Sequence, residues 1–247
     1  MHARRIFIPP GARRGRELAI PPAEAHYLRH VLRMRAGGEV AVFDGAGWTA
    51  RAEIRSLAGR SGALSVIEER FCPRPPRVFS LALAVLKPPA MDLAVRACTE
   101  LGASAIAGFA AERSVPRAGG ARAKEERWRR IALEACRQCG HEFIPSVAAL
   151  DGTPAVAALF ARHDAVFVAS LREGSAPLWG LLARPPASPL LIVGPEGDFA
   201  PGELDFLLAA GARPCRLSGP VLRAETAAAA GAAILAQAIL LRTQWKT

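Results

Sequence analysis

The sequence predicts an α/β protein with a small β-domain ahead of it, and three observations carry the prediction. From residue 78 onward, short apolar runs alternate with stretches of helical periodicity, as in a parallel sheet covered by helices on both faces. Before residue 71 the apolar runs are short and joined by turn residues, as in a compact β-structure. Between the two, residues 71–77 read FCPRPPR. Three prolines in seven residues leave few backbone donors for regular structure. The expected domains are therefore 1–76 and 77–247.

In the first domain, 5–8 and 39–43 are strand candidates, and 48–54 alternates as a half-buried strand does. Asp44-Gly45-Ala46-Gly47 between the last two is a turn signal and predicts a hairpin. A further strand is expected at 64–67. One helix, 23–34, places Tyr27, Val31 and Met34 on one side and Arg29, His30 and Arg33 on the other. That basic side is a candidate RNA contact or a solvated face.

In the second domain, 78–86 reads as a buried strand. Helix 90–101 puts Met91, Ala94, Val95, Cys98 and Leu101 on one face. A strand at 105–110 follows, then a long helix, 124–140, with Trp128, Ile131, Ala132, Ala135 and Cys139 turned inward. Strands are expected at 166–170, 190–193 and 214–217, with a short helix at 203–210. A long alanine-rich helix begins near Arg223.

The composition narrows the class. The chain has 247 residues and is 51% hydrophobic, ample for a core. No uninterrupted apolar run is long enough to span a bilayer, and the N-terminus lacks the apolar stretch of a signal peptide. Five scattered cysteines fit a reducing compartment, so a cytoplasmic protein is expected. The lone Cys136-x-x-Cys139 has no second pair, so no metal is expected. The formal net charge is +10, carried almost wholly by arginine, which points to a polyanionic partner such as RNA. Residues 1–76 hold 13 basic and 7 acidic side chains, and residues 77–247 hold 19 and 15. The smaller domain is the more densely basic.

Two glycine turns dominate the C-terminal third. Strand 190–193 runs into Gly194-Pro195-Glu196-Gly197, and strand 214–217 into Ser218-Gly219-Pro220. In an α/β sheet both would lie at the carboxyl edge, where ligands bind. Neither turn is a GxGxxG or a GxxxxGK[ST], and Pro195 removes a donor that a phosphate nest would use. The expected ligand is therefore flat and apolar, in a slot lined by Ile192, Val193, Leu217, Val221 and Leu222.

These motifs carry a resemblance. GPEGDF followed by V-L-R-A-E-T-A resembles the C-terminal signature of the RsmE family of SPOUT methyltransferases. Arg4-Arg5-Ile6-Phe7, Ala25-His26-Tyr27-Leu28, Thr99-Glu100-Leu101-Gly102, Glu112-Arg113-Ser114 and Glu134-Ala135 resemble its earlier motifs in order. The chain departs from the pattern at Asp198, Ser218, Pro220 and His141. The resemblance implies a PUA-like β-barrel followed by a SPOUT trefoil-knot domain with a parallel sheet. It further implies an S-adenosylmethionine (SAM)-dependent enzyme that methylates N3 of a uridine in the 16S RNA of the small ribosomal subunit, working as a homodimer. The cofactor would be held by Leu171, by Gly194, Pro195, Glu196 and Gly197, and by Leu217, Ser218, Leu222 and Thr226. Arg223 would stabilise negative charge developing on the uracil, and Glu225 is either catalytic or a helix-start residue. Arg4, Arg5, Arg29, Arg33 and Arg113 are the expected RNA contacts. The rival readings are a SPOUT-scaffold RNA-binding protein without catalysis and a SPOUT enzyme acting on another RNA.

Overall fold

The computed structural model describes residues 4–13, 15–114 and 120–244. The chain separates into two units. One comprises Met1–Arg74 with Cys136–Ile144, the other Pro75–Ala135 with Pro145–Thr247. The first boundary lies two residues before the one expected from the prolines. The grouping of Cys136–Ile144 with the β-unit has no counterpart in the sequence reading, which assigned those residues to the second domain.

The first unit is built on five strands: β1 (Arg5–Phe7), β2 (Glu17–Ala19), β3 (Glu39–Phe43), β4 (Trp48–Ala58) and β5 (Ser61–Phe71). Their order is β1-β3-β4-β5-β2, antiparallel except for the parallel β1–β3 pair. Register shifts near Arg51/Ala52 and Ile54/Ser56 mark irregularities that bend such sheets. One face closes over Ile6, Leu18, Leu28, Val42, Ile54 and Leu64.

The predicted helix 23–34 is split. A short α1 (Pro22–His26) passes into a π-helical turn over Tyr27–Val31. Leu32 N–H donates to the Tyr27 carbonyl at 3.0 Å, and Arg33 ends the segment at φ +53°. Val31, expected on the apolar side, is 61% exposed, because the extra residue of a π-turn rotates the following positions.

The second unit carries β6 (Ser80–Ala84), α2 (Pro88–Glu100), β7 (Ala105–Phe109), α3 (Ala121–Cys139), β8 (Ser146–Leu150), α4 (Gly152–Ala157), β9 (Ala165–Ala169), β10 (Ala176–Pro177), α5 (Leu178–Leu181), β11 (Pro189–Val193), α6 (Pro201–Ala209), β12 (Arg213–Arg216) and α7 (Ala224–Gln244). The last turn of α3 groups with the β-unit. The seven strands form one parallel sheet in the order β10-β12-β9-β11-β6-β7-β8.

All five residues of β6 and of β11 are buried, as expected of strands covered on both sides. Val156, Leu207, Ala212 and Phe199 pack with Ile192 and Val168 on one face. The long helix α7 packs on β11, β6 and α2. Gly231 permits the close approach to β11: a Cβ there would overlap the Leu191 side chain. In α3, Trp128, Ala132, Ala135 and Cys136 are buried, while Cys139, expected to turn inward, is exposed. Cys139 is the last helical residue, one turn past the buried stripe.

Candidate active site

Three neighbouring parallel strands, β12, β9 and β11, deliver their carboxyl ends to one place. The loops that follow them begin at Leu217, Ser170 and Gly194. Together with the start of α7 they line a cleft that is open to solvent. The crossover connections of a parallel sheet put such loops at one edge, and here three adjacent ones converge.

The first loop is locked from several sides. Asp198 N–H donates to the Pro195 carbonyl at 3.0 Å and closes a tight turn. Asp198 takes φ +61°, a left-handed conformation costly for most side chains but tolerated by aspartate. Its Oδ1 accepts Phe199 N–H at 2.8 Å. This gives a physical reading of the departure at this position, where the family pattern has glycine.

Phe199 is buried and stacks on Phe109 with ring centroids 6.3 Å apart. Its ring occupies the space beside Gly194, where a Cβ would lie 2.8 Å from it. Glu203 reaches in two directions: Oε2 accepts Ala200 N–H at 3.1 Å, and Oε1 accepts Glu112 N–H at 2.9 Å. The first is a helix-start tie for α6. The second fastens the loop after β7. From that loop Arg113 donates to the Gly197 carbonyl at 2.9 Å.

The second loop is held more lightly. Ser218 Oγ donates to the Pro220 carbonyl, and that tie stands where the family pattern has glycine. Val221 is 75% exposed. The Arg223 carbonyl accepts Ala227 N–H at 2.8 Å, so Arg223 is the residue at which α7 starts. From β9, Ser170 Oγ accepts Arg172 N–H at 3.1 Å.

Of the residues expected to hold the cofactor, Leu171, Gly194, Pro195, Glu196, Leu217, Ser218 and Leu222 line the cleft. Gly197 belongs to the turn but does not line it, and Thr226 lies exposed on the first turn of α7. Val193 and Val221 line it as expected, whereas Ile192 is buried in the core. Successive strand residues face opposite sides, so Val193 and Ile192 cannot share a wall.

Arg223 and Glu225 flank lining residues without lining the cleft themselves. Arg223 is exposed, and among the described residues no ion pair joins it to Glu225. Glu225 is half-buried, and its Oε2 is buried without a hydrogen-bond partner, an arrangement that calls for a functional or ligand explanation.

Sequence reasoning missed Ala169, Ser170, Asp198, Cys215, Ala224 and Ala227, all of which line the cleft, as does Pro220 of the second glycine turn. The i, i+3 spacing of Ala224 and Ala227 and the i, i+2 spacing of Cys215 and Leu217 were the available signals. Burial pushes the Cys215 thiol up to about 12, so this wall is neutral at physiological pH.

Of the expected RNA contacts, Arg4, Arg29 and Arg33 are exposed. Arg5 has internal work: its guanidinium donates to the Cys136 carbonyl at 2.9 Å and lies 4.0 Å from the Phe43 ring centre. Burial lowers its pKa, opposed by the Glu142 charge. Arg113 is tied to Gly197 as described. Among the described residues no group of three or more His, Cys, Asp or Glu could hold a metal ion, and no helix is long and apolar enough to cross a membrane.

The parallel sheet of the second unit thus opens a cleft at its carboxyl edge, and the β-unit precedes it in the chain. The family profile of the RNA methyltransferase domain matches residues 73–236, and that of the RNA methyltransferase PUA domain matches residues 20–68. The chain belongs to the RNA methyltransferase family, of the ribosomal RNA small subunit methyltransferase E (RsmE) type.

Relatives bearing that name include one from Mycobacterium bovis, 34% identical over 83% of this chain and 80% of its own length. Another, from Bacillus subtilis, is 31% identical over 85% of both chains. Among solved structures, ribosomal RNA small subunit methyltransferase E from Neisseria gonorrhoeae, bound to SAM, is 25% identical. It superimposes with a TM-score of 0.83 over 99% of this chain and 98% of its own. A protein from Legionella pneumophila in complex with SAM has a TM-score of 0.87 at 25% identity, over 96% of this chain and 98% of its own.

Proposed function

We propose that this enzyme transfers the methyl group of SAM to N3 of a uridine in 16S ribosomal RNA. The observation that carries the reading is the cleft at the carboxyl ends of β9, β11 and β12, in a chain of the RsmE type. Its residues fit the cofactor. Val193, Leu217 and Leu222 offer an apolar slot for a flat ring, Ser170 and Ser218 offer hydroxyls, and Gly194 contributes to the lining. Leu171, Gly194, Pro195, Glu196, Leu217, Ser218 and Leu222 would hold it. When bound, SAM supplies an electrophilic methyl on a sulfonium.

The chain's own work is to orient the uracil and to favour its N3 anion. Arg223 is permanently charged and exposed beside the cleft. It acts as the cation that stabilises negative charge spreading onto the uracil oxygens. Glu225, whose buried Oε2 has no protein partner, orients the base. N3 lies on the Watson–Crick edge, so the target uridine must be unpaired when it enters. Arg4, Arg29 and Arg33 hold RNA phosphates, a role that positions the RNA without reading its sequence. The assembly is a cytoplasmic homodimer, whose contact would cover apolar residues such as Trp179, 75% exposed. The path through the three loops is the trefoil knot of the SPOUT fold.

Calorimetry with SAM, followed by radiolabel transfer to 16S RNA and mapping of the modified base, tests the reading. Binding without transfer would leave an RNA-binding protein on a methyltransferase scaffold. Transfer to another RNA would move the substrate. Arg223→Ala is expected to lower kcat by about a hundredfold or more, as loss of one anion-stabilising group does, with SAM affinity unchanged.

A further inference from the structure

We infer that Glu196 and Asp198 make the cleft selective for the sulfonium cofactor over its product, which lacks that charge, so that methyl transfer itself loosens the grip on what remains. The inference rests on the cofactor reading above.

The protein carries a net charge of +10, yet among the described residues the only charged side chains that line the cleft are Glu196 and Asp198. Both come from one turn, and that turn is fixed. The Asp198 N–H is held by the Pro195 carbonyl, and the Arg113 guanidinium grips the Gly197 carbonyl between the two acids. Asp198 uses Oδ1 to hold Phe199 N–H, which fixes the orientation of its carboxylate. Cys215, the third titratable wall, remains neutral. Cations do stand on adjoining segments. Arg113 is bound to the outside of the turn, Arg216 donates to the Leu171 carbonyl at 3.4 Å, and Arg223 follows Leu222. None of the three lines the cleft.

The chemistry of the reaction gives this arrangement a consequence. SAM carries one more positive charge than S-adenosylhomocysteine (SAH). When the C–S bond breaks, its electron pair stays on sulfur, the N3–C bond forms, and the N3 proton passes to solvent water. The cofactor thus loses its sulfonium charge at the moment of transfer. Two carboxylates on the wall attract the reactant and have no matching attraction for the neutral thioether. A polyanionic RNA backbone is repelled from the same wall, so the cofactor slot is protected from the phosphates that the rest of the surface attracts.

The test is calorimetric titration of the full chain with SAM and, separately, with SAH. Asp198→Asn retains the Phe199 hydrogen bond and a side chain that tolerates positive φ. Glu196→Gln is isosteric. Each variant is expected to weaken SAM by about three- to tenfold, the size of one unit charge a few ångströms away in a partly solvated site, while SAH stays within about twofold. The wild-type preference for SAM should also fall as salt rises from about 0.01 M to about 1 M, which shortens the screening length from about 30 Å to about 3 Å. The salt series needs no variant to fold. Equal weakening of both ligands, an unchanged ratio in both variants, or a ratio insensitive to salt would each overturn charge selection. If the wild-type chain bound neither ligand, the cofactor reading would fall first and this inference with it.

Discussion

The two loops that face each other across the cleft are built by different means. The loop from Gly194 to Ala200 is braced from far away in sequence by Phe109 and Arg113, and by Glu203 at the start of α6, which Glu112 holds in turn. The loop from Leu217 to Arg223 is held chiefly by its own Ser218–Pro220 contact and by the start of α7. The first is a prefabricated wall. The second is a short strap between β12 and a long helix, with Val221 projecting into solvent.

The comparison can be broken most forcefully at Phe199. Phe199→Ala empties the space between Gly194 and Phe109 and should cost about 3–5 kcal/mol, read as a large fall in the thermal midpoint. A small fall would mean the wall does not depend on that ring. Gly194→Ala attacks the same contact from the other side. The added methyl meets the Phe199 ring, and overpacking of this kind costs about 1–3 kcal/mol. SAM affinity should drop with it. Glu203→Gln leaves one amide oxygen to serve two backbone donors and should cost about 1 kcal/mol, measurable by denaturant unfolding.

The strap should respond differently. Ser218→Ala and Val221→Ala are expected to alter stability by no more than about 0.5 kcal/mol. Their effect should instead appear in cofactor affinity. A stability loss like that of the braced loop would erase the contrast. The smallest effect at neutral pH belongs to Cys215, where β12 meets the strap. Its thiol is raised from 9.0 to about 12 by burial. The folded protein therefore holds that proton more tightly than the unfolded chain. The contribution is complete below pH 9 and is lost as pH climbs towards 12. An alkaline unfolding series checks this, and thiol labelling at neutral pH should find exposed Cys139 reactive and Cys215 silent.

Much of the second unit was readable because its strands are continuous apolar runs and its helices show clear faces. The segments 105–110, 190–193 and 203–210 all lie within a residue or two of the observed elements. The short pieces were not readable. Strand β8 buries only Val147, and β10 has two residues, so neither has a pattern long enough to stand out from a loop. Helix α5 has four residues and fails for the same reason. In the first unit the helical pattern at 23–34 was seen, but its π-turn was not. A single inserted residue leaves composition untouched and shifts only the register.

Sequence alone determined the local grammar of the site: two apolar strands, two glycine turns, a helix start, and no phosphate-binding signature. It could do so because side-chain period and backbone permissiveness are properties of a few adjacent residues. Only the tertiary structure decided that β12, β9 and β11 would lie side by side, that Asp198 would enter a left-handed conformation, and that Phe109 and Glu112 would brace a turn almost ninety residues on. Those outcomes depend on strand order and on packing between distant segments, and no local pattern encodes either.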